Sequence, residues 1–161
     1  MAFMPDAWRI DSEKWRASTF SGFGAAAAGG RWNPAGMHVV YVSQHLSTAS
    51  IEKLVHLPKP IPPTMKFIKF PIMFSGVAIE RPPISTLPAN WRAEPVAADS
   101  QRFGEAWYRR GATAVLAIPC ALIPEEENYV INPAHPDFKR LDIGLPEPFT
   151  FDPRLAKLIS P

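Results

Sequence analysis

The chain has 161 residues, 47% of them hydrophobic and 20% charged, which is typical of one globular domain over residues 1–161 and excludes a disordered chain. Its formal net charge of +2 at pH 7 is too small to indicate direct binding of nucleic acid or of an anionic membrane. Neither a signal peptide nor an apolar run of the roughly 18 residues that suggest a membrane span is visible, so we expect a soluble cytoplasmic protein.

Short elements flank a glycine-rich loop in the first third of the chain. Residues 7–10 predict a first strand, in which Arg9 would point into whatever the sheet lines. Residues 38–43 are β-branched and aromatic, which predicts a buried strand. A helix is predicted over residues 48–56, with Ser47 as its N-cap. Its predicted apolar stripe consists of Ile51, Leu54 and Val55.

The loop over residues 18–41 is the stretch around which the chain is organised. Its glycines allow a positive φ or a close approach of the backbone to a ligand. They are followed by Arg31, Trp32 and Asn33. These residues supply a planar guanidinium group with several N–H donors, a large aromatic face and a side-chain amide. These groups suit a phosphorylated small molecule that carries an aromatic ring. A flexible loop with a solvated arginine explains the same composition.

The second half of the chain alternates strands, helices and proline-rich connections. One or two strands are predicted within residues 65–80, with a break at Pro71 or at Ser75-Gly76. Further strands are predicted over residues 114–118, 129–133 and 139–143, and helices over residues 99–110 and from residue 152. Strands outnumber helices and their order is irregular. The sequence therefore indicates an α+β fold, a mixed sheet with a few packed helices.

Two polar residues each have two interpretations. Glu52 lies beside the apolar stripe of its helix, where it is either a solvated carboxylate or a functional group near the core. Cys120, the single cysteine, follows a buried strand and is either a small core residue or a nucleophile paired with His135. The histidines have no metal-ligand spacing, so no metal site is predicted. The glycines match neither the dinucleotide-binding nor the P-loop fingerprint.

Three blocks of the sequence resemble, in the same order, the motifs of the RES-domain family of bacterial toxins. That family is named for an arginine, a glutamate and a serine. The blocks are Ser21-Gly22-Phe23-Gly24-Ala25 with Gly30-Arg31-Trp32-Asn33-Pro34, then Val40-Tyr41 with residues 47–56, then residues 118–136. The resemblance covers most of the chain. Cys120 stands where the family usually has serine, a nearly isosteric change that weakens the hydrogen bond.

The resemblance implies a fold similar to that of ADP-ribosyltransferases and an enzyme that consumes NAD⁺ as its substrate, with no further cofactor. It implies a type II toxin–antitoxin system in which an Xre-type helix-turn-helix antitoxin blocks the site and relieves growth arrest. A homodimer within that toxin–antitoxin complex is a further expectation.

Cleavage of the bond between nicotinamide and ribose passes through an oxocarbenium-like state. Arg31, Glu52 and Tyr41 are the predicted catalytic residues, with Arg31 and Glu52 in one shared cleft. Glu52 would favour the developing positive charge, Arg31 would hold the pyrophosphate, and Tyr41 or Trp32 would supply a stacking face. The predicted NAD⁺-binding set comprises Arg9, Arg31, Trp32, Asn33, Tyr41 and, in the far wall, Cys120, Asn132 and His135.

The acceptor stays open at this point. Water would give hydrolysis of NAD⁺, phosphate would give phosphorolysis, and a protein side chain would give ADP-ribosylation. We rank degradation of free NAD⁺ first and modification of a protein second. A function of a different class is also open, namely a non-catalytic RES module that only binds its antitoxin. A nucleic-acid-binding function is disfavoured by the small net charge of the chain.

Overall fold

A computed structural model of the protein describes residues 4–158, so the predicted domain limits at residues 1 and 161 lie outside the described part. Within it, eight strands form one mixed sheet. The strands are β1 (Ala7–Ser12), β2 (Val40–Ser43), β3 (Phe67–Met73), β4 (Ile79–Glu80), β5 (Val115–Pro119), β6 (Glu127–Ile131), β7 (Asp142–Ile143) and β8 (Glu147–Phe149). Their order is β4-β5-β6-β2-β1-β3-β7, with β8 paired to β3. β4 and β5 run parallel, whereas the other neighbours are antiparallel.

Helices pack against this sheet, which confirms the predicted α+β class. They are α1 (Phe23–Ala28), α2 (Leu46–Val55), α3 (Ala98–Arg110) and α4 (Pro153–Leu158), with 3-10 helices at Glu13–Ser18, Ile84–Thr86 and Pro136–Arg140. None of the helices described between residues 4 and 158 has both the length and the apolar character needed to cross a membrane.

The predicted central strand is confirmed. Val115, Leu116, Ala117 and Ile118 of β5 are at most 4% exposed. Val115 and Ala117 belong to one apolar cluster, whereas Leu116 and Ile118 belong to another, so alternate residues of β5 pack on opposite faces of the sheet. A strand that is buried on both faces reads as a continuous apolar run, which is the pattern seen in the sequence.

Strand β3 continues through Pro71, and the break falls at Ser75-Gly76, where both residues have positive φ. Proline is tolerated because β8 pairs with residues 67–69 of β3 and β7 pairs with residues 72–73. Pro71 lies between these two pairings, where its carbonyl oxygen accepts a hydrogen bond from the Gly144 N–H at 2.8 Å and only the N–H that proline lacks is missing. The predicted last strand over residues 139–143 is reduced to β7. β8 was not predicted, because its Glu-Pro-Phe sequence carries no alternation.

The glycine-rich loop contains a short helix that was not predicted, α1. Gly22, with φ of 78°, precedes α1, and Gly29, with φ of 72°, follows it. A Cβ on Gly22 would lie 2.8 Å from the backbone nitrogen of Val39. The predicted need for glycine is therefore confirmed here, for both backbone conformation and close packing.

Helix α2 presents a different face to the sheet from the predicted one. It begins at Leu46 with His45 as N-cap, and its buried residues are Thr48, Ala49, Ser50 and Leu54. Ile51 and Val55 are 36% and 42% exposed, so the predicted stripe is wrong except for Leu54. Small side chains bring α2 close to β1 and β2. Glu52 follows Thr48 by four positions and Ala49 by three, so it lies on the same face of α2 as these two buried residues.

Close packing between α3 and the glycine-rich loop depends on Gly104. A Cβ at this position would lie 1.8 Å from the carbonyl oxygen of Trp32. Gly104→Ala is therefore expected to lower the free energy of unfolding by about 3 kcal/mol, the upper end of typical overpacking costs. Urea unfolding monitored by circular dichroism measures this change. Gly24→Ala is the matched control, since no atom lies within 4 Å of its Cβ position. Equal stability of the two variants would contradict the predicted packing.

Candidate active site

A cavity of about 410 Å³ lies between α2, the adjacent ends of four strands and three loops. This volume is within the usual range of small-molecule sites. Its wall includes five of the predicted residues, which are Arg9, Arg31, Trp32, Tyr41 and Glu52. The prediction that Arg31 and Glu52 share one cleft is therefore confirmed.

The cavity exists because β1 and β2 separate. Their pairing is recorded at one register position, Trp8 opposite Ser43, whereas β1 pairs with β3 along its full length. Beyond this point the Arg9 guanidinium spans the gap, and its Nη1 donates to the Tyr41 carbonyl oxygen at 2.9 Å. Arg9 therefore satisfies a backbone acceptor that an adjacent strand would otherwise cover.

Arg9 is also part of a network of charged groups at the base of the cavity. Its Nη2 donates to Oδ2 of Asp11 at 3.1 Å, and Oδ1 of Asp11 accepts a hydrogen bond from Lys53 Nζ at 3.3 Å. Burial lowers the pKa of Arg9, and the neighbouring Asp11 opposes that shift. The Nε atom of Arg9 is buried without a hydrogen-bond partner. Two cations, Arg9 and Lys53, thus line the cavity around one buried carboxylate.

Two donors hold one oxygen of the Glu52 carboxylate. Oε1 accepts a hydrogen bond from Asn128 Nδ2 at 2.8 Å and from Cys120 Sγ at 3.1 Å. Within residues 4–158, no hydrogen bond to Oε2 is recorded. One carboxylate oxygen is therefore fixed by the protein, and the other is free to accept further hydrogen bonds.

Cys120 lies directly after β5 and is completely buried. Burial raises the pKa of its thiol to about 11, and the hydrogen bond to Glu52 adds to the shift. The thiol is therefore protonated at neutral pH and acts as a donor to Glu52. The alternative of a nucleophilic pair with His135 is wrong, because His135 contacts the carbonyl oxygen of Gly111, which precedes β5 at its opposite end.

Arg31 holds the loop that closes one side of the cavity. Its Nη1 donates to the carbonyl oxygens of Trp91 and Ala93 at 2.9 and 2.8 Å, and its Nη2 lies 3.3 Å from Glu94 Oε2. The Arg31 side chain is 17% exposed, whereas that of Glu94 is 77% exposed. Arg31 is therefore not a solvated loop residue. Its remaining N–H groups have no recorded protein partner in the described chain.

Hydrogen bonds of the Tyr41 and Asn33 side chains fix the conformation of the glycine-rich loop. The Tyr41 hydroxyl donates to Asn33 Oδ1 at 2.7 Å and accepts from the Trp32 backbone N–H at 3.0 Å. Burial raises the pKa of Tyr41, so its hydroxyl is protonated. Asn33 is 0% exposed, and its amide donates to the carbonyl oxygens of Ala25, Pro34 and Met37. The prediction that Asn33 contacts a ligand is corrected, because its amide is used within the loop.

Trp32 does not offer the predicted free stacking face. It is 1% exposed, with Trp91 stacked at 6.3 Å between ring centroids and Phe103 edge-on at 5.8 Å. The loop turns Trp32 into the core because an aromatic pair and Gly104 receive it there. Tyr41 and Trp8 are the partly exposed aromatic residues in the cavity wall.

Three residues were predicted for the far wall, and none of them lines the cavity directly. Cys120 lies behind Glu52. Asn132 follows the far end of β6, where its Oδ1 accepts from the Ala134 backbone N–H at 2.9 Å. His135 caps the 3-10 helix Pro136–Arg140 by accepting from the Asp137 N–H. The far-wall position of Asn132 and His135 is therefore corrected, because β6 carries them away from α2.

Several wall residues were not identified from the sequence. Asn128, Lys53, Trp8 and Glu94 all line the cavity. Asn128 lies on β6 and belongs to the third block of the family resemblance, so a place for it beside Glu52 could have been suspected. No local sequence pattern marks Lys53 or Glu94 as a site residue, since their ion-pair partners, Asp11 and Arg31, are distant in sequence. Among residues 4–158, no group of three or more His, Cys, Asp or Glu side chains could hold a metal ion.

The fold of this chain is also found in a solved structure. The chain is similar to a chain of the M. tuberculosis MbcT–MbcA toxin–antitoxin complex, with a TM-score of 0.68 at 16% identity. The match covers 98% of this chain and 89% of that chain. At such low identity the likeness establishes a shared fold.

Sequence comparison identifies the family. The RES domain model matches residues 6–152, and the chain belongs to the RES-domain family. It is 36% identical over 155 residues to the "Prs ADP-ribosylating toxin" of Sphingobium sp. (strain YBL2), covering 93% of this chain and 96% of the relative. It is 33% identical over 150 residues to "Toxin Res" of Yersinia enterocolitica, covering 92% and 97%.

Proposed function

We propose that this protein is the toxin of a toxin–antitoxin pair and that it cleaves the nicotinamide–ribose bond of NAD⁺. The observation that supports this most is the presence of Arg31 and Glu52 in the wall of one cavity, with one oxygen of Glu52 left without a recorded hydrogen bond in the described chain. Family membership supports it further, because the relatives are named as toxins.

Glu52 would stabilise the developing positive charge on the ribose. Nicotinamide departs with the electron pair of the C–N bond, which leaves an oxocarbenium-like ribose. An anion held close to that carbon lowers the energy of this state more than that of the ground state. The free Oε2 of Glu52 is suited to this role, since Oε1 is already fixed by Cys120 and Asn128.

Arg31, Arg9 and Lys53 would hold the anionic part of the substrate. All three line the same cavity, and Arg31 retains N–H groups beyond those used by the loop. Guanidinium groups bind phosphate oxygens in bidentate geometry, and lysine adds a point charge. The partly exposed rings of Tyr41 and Trp8 would lie against the nicotinamide or adenine.

For free NAD⁺ the acceptor is water or phosphate, and hydrolysis transfers one water proton to solvent as the new C–O bond forms. Purified protein incubated with NAD⁺ should release nicotinamide, measured by liquid chromatography. The accompanying product identifies the acceptor: ADP-ribose for water, or its 1-phosphate for phosphate. Intact NAD⁺ after prolonged incubation, both with the purified protein alone and with added cell lysate, would contradict the proposal and favour a non-catalytic module.

Transfer of ADP-ribose to a protein is the second candidate. It is favoured by the name of the Sphingobium relative and by the apolar rim of the cavity, where Val55 and Leu122 are 42% and 40% exposed. Mass spectrometry of a cell lysate incubated with the protein and NAD⁺ would detect a modified acceptor. Nicotinamide release that requires added lysate would favour transfer over hydrolysis.

An antitoxin partner is proposed on the same evidence. The structural neighbour comes from a toxin–antitoxin complex, and the predicted Xre-type helix-turn-helix partner would cover the cavity. Co-expression with a neighbouring reading frame of that type should restore growth. A homodimer within the complex stays a prediction, and size-exclusion chromatography with light scattering measures it.

Replacing Cys120 by serine is expected to keep or raise activity. A serine hydroxyl is a stronger donor to Glu52 than a thiol, and the two side chains are nearly isosteric. Cys120→Ala, which removes the donor, is the matched control and should lower the rate. Nicotinamide release by the three proteins measures the effect. Complete loss in the serine variant would instead indicate a role that only a thiol can fill.

A further inference from the structure

The side chain of Asn128 contacts the proposed catalytic carboxylate from a rigid part of the sheet. Asn128 lies near the start of β6, where it is opposite Ser43 of β2 and Ile118 of β5. A residue paired on both sides has little freedom of backbone movement. Its Nδ2 reaches Glu52 Oε1 at 2.8 Å across 76 positions of sequence, which is the shorter of the two hydrogen bonds to this carboxylate.

The orientation of the Asn128 amide follows from its partner. An ionised carboxylate only accepts hydrogen bonds, so the NH₂ group must point at Glu52. The other end of the amide, Oδ1, is then buried with no hydrogen-bond partner. An unsatisfied buried acceptor is unfavourable for folding, and such groups in native proteins call for an explanation. Positioning of Glu52 provides one.

The second donor cannot replace Asn128. Cys120 contacts the same oxygen through a thiol, which is a weaker donor than an amide N–H. A glutamate side chain on a helix margin has several staggered rotamers, and each places Oε2 differently. Fixing Oε1 from two directions selects one of these and leaves Oε2 available to the cavity.

We propose that Asn128 is a positioning residue that acts through Glu52 and holds its free oxygen towards the ribose of the bound substrate. This inference rests on the proposed cleavage of NAD⁺. It predicts that Asn128 affects the chemical step and has little effect on substrate binding, because its amide is directed at Glu52.

The test is a double-mutant cycle on nicotinamide release. Asn128→Ala should lower kcat by about 10- to 100-fold with KM within about twofold of wild type, as expected when a reacting group is displaced by about 1 Å. Asn128→Asp, nearly the same shape, should lose at least as much, because it places a second carboxylate beside Glu52. If thermal melting shows that the alanine variant is poorly folded, the Asn128→Asp variant provides the test in its place.

The background variant Glu52→Ala separates positioning from a structural role. Adding Asn128→Ala to Glu52→Ala should cause no further loss, since no carboxylate remains to be positioned. An equal loss in both backgrounds, or a wild-type kcat in the Asn128 variants, would overturn the inference while leaving the proposed function intact. A wild-type protein that releases no nicotinamide would overturn the proposed function, and this inference with it.

Discussion

Glu52→Gln is expected to lower the rate of nicotinamide release from NAD⁺ by about 100- to 1,000-fold, the usual effect of removing one preorganised electrostatic group. The change removes the negative charge that would stabilise the oxocarbenium-like state and keeps the size of the side chain. The amide oxygen of glutamine can still accept from Asn128 and Cys120. The variant should therefore fold as the wild type does, with its free energy of unfolding changed by no more than about 1 kcal/mol.

The matched control is Glu105→Gln. Glu105 lies on α3, where its carboxylate pairs with Arg109 one helical turn away and does not line the cavity. Surface ion pairs of this kind contribute little, so we expect wild-type rates. A Glu52→Gln variant as fast as the Glu105→Gln control would show that the Glu52 charge takes no part in catalysis.

Arg31→Ala is expected to lower kcat/KM by about 100-fold, since truncation removes both the phosphate donors and the support of a cavity-closing loop. The guanidinium joins the carbonyl oxygens of Trp91 and Ala93, so its loss should release this loop. Arg31→Lys should recover little activity, because lysine keeps the charge without the planar fork. Kinetics over a range of NAD⁺ concentrations measure the effect, and most of it should fall on KM.

The matched control for Arg31 is Arg109→Ala on the exposed side of α3, where the arginine side chain is 76% exposed. It removes the same charge from the chain and touches no wall of the cavity. The assignment of Arg31 would be wrong if Arg31→Ala kept the kcat/KM of this control. A loss confined to thermal stability, with normal kinetics, would instead limit Arg31 to its loop contacts.

Much of the fold could be predicted because its signals are local. The apolar run of β5, the strand before the short α2 and the glycine after α3 each depend on a few consecutive residues. Gly111 at the end of α3 has the expected left-handed conformation, with φ of 60°. The face of α2 could not be predicted, since apolar periodicity pointed to Ile51 and Val55. Small residues pack there instead.

Only the part of the site that has local sequence signals could be predicted. Arg31 and Glu52 belong to recognisable blocks, but their partners lie far away in sequence. Cys120 and Asn128 reach Glu52 across 68 and 76 positions. No spacing rule connects such pairs, and only the order of β5, β6 and β2 in the sheet brings them together. Asn132 and His135 belong to the same sequence block as Asn128, but β6 carries them to its other end.

The measurement that tests the central claim most directly is free nicotinamide in parallel incubations of NAD⁺ with wild-type protein, Glu52→Gln and Glu105→Gln. We expect nicotinamide to accumulate at equal rates with the wild type and the Glu105 variant and about 100- to 1,000-fold more slowly with the Glu52 variant. Equal accumulation in all three, or none with the wild type, would contradict a catalytic role for the carboxylate that Asn128 and Cys120 hold in this cavity.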